Sequence, residues 1–408
     1  MLLEYGYFLF VNPVFEYEGF TIKISIFKLF ESYLVVFILS IFIIKLENLS
    51  YPSKIVVYVL FINLFLPISS LYWLQDHSRE FFLTISLSFL LLFYILVKTP
   101  MLKLPTLKEG KNLSFLILFF LTIIVYVFLI VTGGLQRINF DLSDVYSTRE
   151  EFNTSSDNRL MAYLLPWQAH ITNLFLLIYG LIRKNRILVF VSLILQISIF
   201  AMTGHKSYLF APILIFGIYY FFKKGYQNNI LFFITSALIF SLSILDILYS
   251  ISNNPNMLSL FLRRLFYVPA QLHFLYFDFY ENMTKYKLSA SFLSFIIDNP
   301  YGTNPVYLVA QKVFGRDFSP NVGIFGDAYL NFGIIGILLF MLILGGVLKI
   351  LDSVSKNTPL VLSTGIIIIP GTALVDSALF TSLLTHGILI AIFVIWLTNS
   401  VVNRHEKT

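Results

Sequence analysis

The feature that most constrains this chain is a repetition of apolar runs about twenty residues long, separated by polar breaks. Candidate spans read at 26–45, 54–74, 79–98, 113–132, 161–182, 186–203, 207–222, 228–250, 324–350, 358–376 and 378–398. Wound as an α-helix, a run of that length crosses the ~30 Å hydrocarbon core of a bilayer. In hydrocarbon the backbone must satisfy its own hydrogen bonds, which leaves helices or closed barrels. The runs are continuous rather than alternating, which excludes a transmembrane β-barrel. Charged residues are 12% of the chain, about half the share of a soluble domain. The expected fold is an all-α polytopic integral membrane protein with about eleven transmembrane helices, residues 1–408 forming one membrane domain. Residues 1–25 read as a short aromatic, acidic flap. With Glu4, Glu16 and Glu18 and no basic leader, that segment is not expected to be a cleaved signal peptide.

Basic residues set the orientation. Lys98, Lys103, Lys108 and Lys111 share one loop, and Arg183, Lys184 and Arg186 another. Lys223 and Lys224, then Lys349 and Lys356, then Arg404 and Lys407 follow. Counting spans places all of them on one side, which the excess of cations makes cytoplasmic, C-terminus included. The N-terminus, the loop 133–160, the turn 204–206 and the long loop 251–323 then face outward as external loops. No internal repeat or inverted symmetry is visible, which counts against common transporter folds. Cysteine is absent, so disulfides, thiolate nucleophiles and cysteine metal sites are excluded.

The stretch 321–336, NVGIFGDAYLNFGIIG, ends roughly seventy residues of polar chain and opens a long apolar run. A membrane protein that gathers so much polar chain in one place is expected to work there. Asp327 stands at the mouth of that span. It suits a general base where a membrane-tethered hydroxyl arrives, or a plain acid favoured by the helix dipole. Asp298 is the second candidate base. Arg263 and Arg264 lie in the aromatic stretch NMLSLFLRRLFYVPAQLHFLYFDFYENM, expected to lie along the membrane surface as an amphipathic helix. Adjacent arginines there fit a diphosphate, or simple anchoring on lipid phosphate. Lys206, in TGHKSY, breaks the positive-inside pattern. It reads as a phosphate ligand or a snorkelling lysine, and the spacing of a Walker loop is missing. His205 reads as its neighbour.

Arg149 and Arg159 flank Glu150, Glu151 and Asp157; composition alone favours surface ion pairs there, and Arg137 and Arg316 have the same standing. Asp246 and His386, within spans, suit either function or interhelical hydrogen bonding. The glycines Gly333, Gly336, Gly345 and Gly346 read as close helix packing. The six histidines show no metal-ligand spacing, so neither metal nor cofactor is expected. No nucleotide motif occurs, and no nucleic-acid partner is expected.

In joint order, DVYSTREEF, TGHKS, RRLFYVPAQLHFLYFDFY and NVGIFGDAYLNFGIIG, with the span number and two large outer loops, give a resemblance. The chain resembles the O-antigen polymerases of the Wzy type. The resemblance implies a metal-independent glycosyltransferase of the bacterial inner membrane, its large loops periplasmic. It implies transfer of a growing glycan from undecaprenyl diphosphate to a fresh lipid-linked repeat unit, with a separate chain-length regulator as a partner. On this likeness Arg149 matches the pattern of the first loop and Arg263 or Arg264 that of the second; Arg149 and Arg263 are expected to be catalytic, with Asp327, from its place at the helix mouth, as base. Lys206, Arg264, Arg159 and Arg316 are expected to bind the diphosphate. The paired Arg-x-Gly repeats of some members do not fit here. Where the related O-antigen ligases carry a histidine, this chain offers Asn321 and Asp327. The alternatives are a lipid-linked oligosaccharide flippase or transporter, and an O-antigen ligase. A flippase calls for short loops on both faces and polar residues spread through the spans, whereas this chain concentrates polarity in two outer loops.

Overall fold

The computed structural model describes residues 2–47, 49–142, 144–155, 158–252, 260–291 and 293–399. Asp157, residues 253–259, Arg404 and Lys407 lie outside the described residues. Among the described residues, nine helices are long and apolar enough to cross a membrane, and each coincides with an expected span. In chain order they are α1 (Ile26–Glu47), α2 (Ser53–Leu74), α3 (Arg79–Lys98), α4 (Gly110–Val131), α6 (Met161–Ile182), α7 (Arg186–Thr203), α9 (Ile230–Ile251), α11 (Ile324–Val354) and α13 (Leu379–Thr398). Helices α8 (Lys206–Lys223) and the shorter α12 (Leu360–Val375) take the two remaining expected positions. The large loops also carry helices, among them α5 (Val145–Ser155) in the first and α10 (Val268–Tyr280) in the second. This is a polytopic helical membrane protein.

Helix α2 is the centre of the bundle. It packs against α1, α11 and α12, and 89% of its apolar window is buried. Helices α1, α4 and α9 are peripheral, with 22%, 22% and 12% buried. Their outward rings, among them Phe27, Phe30, Phe119 and Phe232, are what a helix facing lipid on most sides presents. Since lipid is as apolar as the core, packing and buried hydrogen bonds must supply specificity. One such set joins four spans. The Gln168 amide donates to Asn173 Oδ1 at 2.8 Å, Asn173 to Gln196 Oε1 at 2.8 Å, and Gln196 to the Tyr208 carbonyl at 2.7 Å. Thr122 of α4 closes the row against Gln168. It fixes α6, α7 and α8 beneath the first large loop.

Polar ties separate the two ends. At the end carrying the basic loops, Ser53 donates twice to Asp352, and Lys349 donates to the Leu96 carbonyl. At the opposite end the flap folds as short helical turns. There Tyr267 donates to the Leu3 carbonyl at 2.6 Å and Gln75 to the Tyr7 hydroxyl at 2.8 Å. The flap thus shares an end with the second large loop. The aromatic stretch of that loop is helical, but its rings turn into the protein. Phe274 stacks on His77 at 4.0 Å, and Phe277 meets Phe81 and Tyr329. The side of α10 that packs against α11 and α2 is the aromatic one, so those rings find protein rather than headgroups.

Gly333 proves to be a kink rather than a packing point. Its φ of 65° and ψ of −151° interrupt α11, in a region open almost only to glycine. The carbonyls of Leu330 and Asn331 accept instead from the N–H groups of Tyr286 and Lys287, at 3.0 and 3.1 Å. The second loop therefore stitches directly into the break. Gly345 does pack closely, against Ile95 of α3.

Candidate functional site

The first large loop folds back onto the turn between α7 and α8. Gly204 ends α7 in the left-handed conformation, φ +68°. A Cβ there would lie 2.5 Å from the Val145 carbonyl and 3.1 Å from the Arg149 nitrogen, so only glycine lets α5 lie this close. The approach brings together two residues chosen from separate sequence patterns, Arg149 and Lys206. The Lys206 ammonium lies over the Tyr146 ring at 5.5 Å. The Arg149 Nε is buried without a hydrogen-bond partner among the described residues.

Arg137 joins them, though its sequence context suggested an ordinary surface residue. Its guanidinium lies over Phe152 at 5.7 Å and donates to the Thr132 carbonyl and to Ser155 Oγ. Its Nε and second terminal nitrogen are buried and have no hydrogen-bond partner among the described residues. Burial works against its charge and holds its pKa below the ordinary value, Glu151 partly offsetting this. Among the described residues, none of these three cations has a carboxylate within 4 Å.

Histidines line the floor. His205 stacks on Tyr208 at 5.0 Å and 10°, with Phe152 edge-on at 6.3 Å. Its Nδ1 lies 2.9 Å from the Thr203 carbonyl. Burial, then the Arg149 charge, holds its pKa down at about 4. His170 meets Tyr208 at 5.2 Å, and neither of its ring nitrogens, both buried, has a hydrogen-bond partner among the described residues. It sits in a π-turn, Gln168–Thr172, just after Pro166; such turns recur at functional sites. His386 follows from α13, its Nε2 3.1 Å from Ser377 Oγ.

The other expected site residues lie elsewhere or are otherwise engaged. Arg263 is ion-paired with Glu18 of the flap and lies over Phe15 at 4.1 Å. Its charge is spent holding the flap against the second loop. Arg264, Arg159 and Arg316 are exposed, and Asp298 lies in the second loop. Asp246, on α9, is also exposed. Asp327 is 8% exposed. One oxygen accepts from the Leu379 N–H at 2.9 Å and the other from Asn331 Nδ2 at 3.0 Å. It ties the start of α11 to the start of α13, a different position from a base open to a hydroxyl. Among the described residues, no cluster of three or more acidic or histidine side chains has the geometry to hold a metal ion.

The fold defines a polytopic helical membrane protein that gathers three cations under the helix of its first large loop. Residues 28–372 match the family model described as "Putative O-antigen polymerase", and the chain belongs to the O-antigen polymerase family. No curated protein matches it, and no solved structure does.

Proposed function

We propose that this protein polymerises undecaprenyl-diphosphate-linked oligosaccharide repeat units at the outer face of the bacterial inner membrane, as a glycosyltransferase needing no metal. The observation that carries the proposal is the convergence of Arg137, Arg149 and Lys206, with no carboxylate within 4 Å of any of them among the described residues. A lipid diphosphate leaving group accumulates negative charge as its bond to the sugar breaks. Fixed cations in a shielded site stabilise that charge without reorganising. Basic loops at the opposite end favour a cytoplasmic location for that end, which turns the cation cluster outward.

The acceptor hydroxyl oxygen attacks the anomeric carbon, the bond from that carbon to the diphosphate oxygen breaks, and the electron pair leaves with the diphosphate. In this reading the flap and the Arg263–Glu18 pair shape the neighbouring surface. Arg264, Arg159 and Arg316 serve capture of the anionic lipid, and a chain-length regulator acts from outside the bundle. The test is the surface glycan of cells carrying Arg149→Ala or Lys206→Ala. Each should leave single repeat units in place of a ladder of lengths, a loss on the order of 10²–10³-fold in transfer for one stabilising group. Arg263→Ala, whose partner is Glu18, should lose far less. Normal ladders from both Arg149→Ala and Lys206→Ala would overturn the proposal.

A further inference from the structure

We propose that His205 is the general base of the transfer, taking the proton of the attacking sugar hydroxyl on its Nε2. The inference rests on the polymerase reading above and names a residue for the one role the three cations leave open. A carbonyl oxygen only accepts, so the 2.9 Å contact between His205 Nδ1 and the Thr203 carbonyl puts the ring hydrogen on Nδ1. Nε2 is left with its lone pair. The ring is held in place by stacking on Tyr208 and by the edge of Phe152. Tyr208 in turn is pinned through its carbonyl by Gln196, at the end of the buried amide row.

The neighbours fit the task. His205 adjoins Lys206 in the chain, and the Gly204 contact brings the Arg149 helix against the same turn. The charged and titratable groups around it are Arg149 and Tyr146 of α5, Arg137 of the first loop, Lys206 and Tyr208 of α8, and His170 and His386 of α6 and α13. Among the described residues no carboxylate lies within 4 Å of these cations, and Glu151 of α5 acts on Arg137 from farther away. Asp327, the acid at the helix mouth, has both oxygens occupied.

The balance closes. The oxygen of the acceptor hydroxyl bonds to the anomeric carbon and its proton passes to Nε2. The diphosphate leaves with the bonding electron pair, and the imidazolium returns its proton to water. In the free protein, burial and Arg149 favour the neutral ring, which is the form a base needs. A bound diphosphate neutralises the cations beside it and raises the affinity of the ring for a proton. The ring is therefore a better base when the donor is present.

The test uses full-length protein in detergent with undecaprenyl-diphosphate-linked repeat unit extracted from a polymerase-deficient host. His205→Gln keeps a side chain that can donate to the Thr203 carbonyl but cannot accept the proton. It should lower the transfer rate by ~10²–10⁴-fold and leave the KM for the lipid-linked unit nearly unchanged. The acidic limb of the pH–rate profile should disappear with it. Thermal stability in detergent, measured in parallel, separates this from unfolding. A wild-type rate with the acidic limb intact would overturn the assignment. If His205→Gln polymerises normally while Arg149→Ala and Lys206→Ala do not, the base is wrong and the site stands. If all three polymerise normally, the polymerase site itself is wrong.

Discussion

Replacing Gly204 by Ala should lift the Arg149 helix off the turn that carries His205 and Lys206. Two effects act at once. A Cβ at φ +68° meets the left-handed penalty, about 1–2 kcal/mol. The same Cβ would lie 2.5 Å from the Val145 carbonyl and 3.1 Å from the Arg149 nitrogen. Tight real contacts begin at 3.0–3.4 Å, so α5 must move by roughly 0.5–0.9 Å. A misplacement of that size in a positioned group costs on the order of ten- to a hundredfold in rate. Gly225 supplies the control. It also has positive φ, +82°, but nothing lies within 4 Å of a Cβ there. Gly225→Ala should therefore lose similar stability and keep its rate. The assay is the glycan ladder from cells with matched protein levels, together with thermal unfolding of both variants in detergent. A full ladder from Gly204→Ala at wild-type yield would refute the claim that the close approach of α5 builds the site.

Gly333→Ala should destabilise the fold by about 1–3 kcal/mol, because φ 65° and ψ −151° are held by the bonds from Tyr286 and Lys287; thermal unfolding in detergent measures it. Stability should also fall in acid. His77, His205 and His273 are held near pKa 4 against an ordinary 6.5, burial being the main cause, with Lys28 adding for His77 and Arg149 for His205. A depressed histidine contributes its full stability above 6.5 and loses it as pH falls toward 4, since the unfolded chain takes up the proton first. The melting temperature should drop across that window, and His77→Phe should flatten the drop. Transfer by the purified protein should persist in excess chelator; strict loss of activity would contradict a metal-free reaction.

Span positions were legible because continuous apolar runs have few other solutions in a membrane. Lys206 was legible as a candidate because it breaks the positive-inside pattern, and Arg149 only through the family resemblance, since its acidic neighbours favour surface ion pairs. Their meeting was not. It depends on Gly204, whose role is set by a backbone angle and by a helix some sixty residues upstream. Arg137 was hidden for a similar reason, since a loop arginine carries no mark of the ring it will cover. His170 did leave a faint signal, a histidine four residues after a proline inside a span, where an ionisable side chain is costly enough to invite a function. The amides Gln168, Asn173 and Gln196 gave the same hint. The ion pair of Arg263 was not legible, because its flap partner Glu18 lies 245 residues earlier in the chain. Adjacent arginines among aromatics read alike whether a carboxylate waits for them or not.

The stretch 321–336 remains central, but as a joint. Asp327 accepts from Leu379 N–H and Asn331 Nδ2, while Asn331 Oδ1 accepts from Leu288 N–H at 2.7 Å. Three chain segments thus share two side chains, four residues apart on one helix face. Asp327→Asn tests what the acid does. An amide can keep one of the two contacts. Its own NH2 must then face the NH2 of Asn331, and turning Asn331 over would break the bond to Leu288. One buried partner is lost on either side, at a cost of about 1–3 kcal/mol. The variant should therefore melt earlier, while transfer per folded molecule changes little. The alternative is equally definite. A base loses its function on conversion to an amide, so a fall in transfer per folded molecule of ~10² or more, with lipid-linked substrate still bound, would return Asp327 to the chemistry and remove His205 from it.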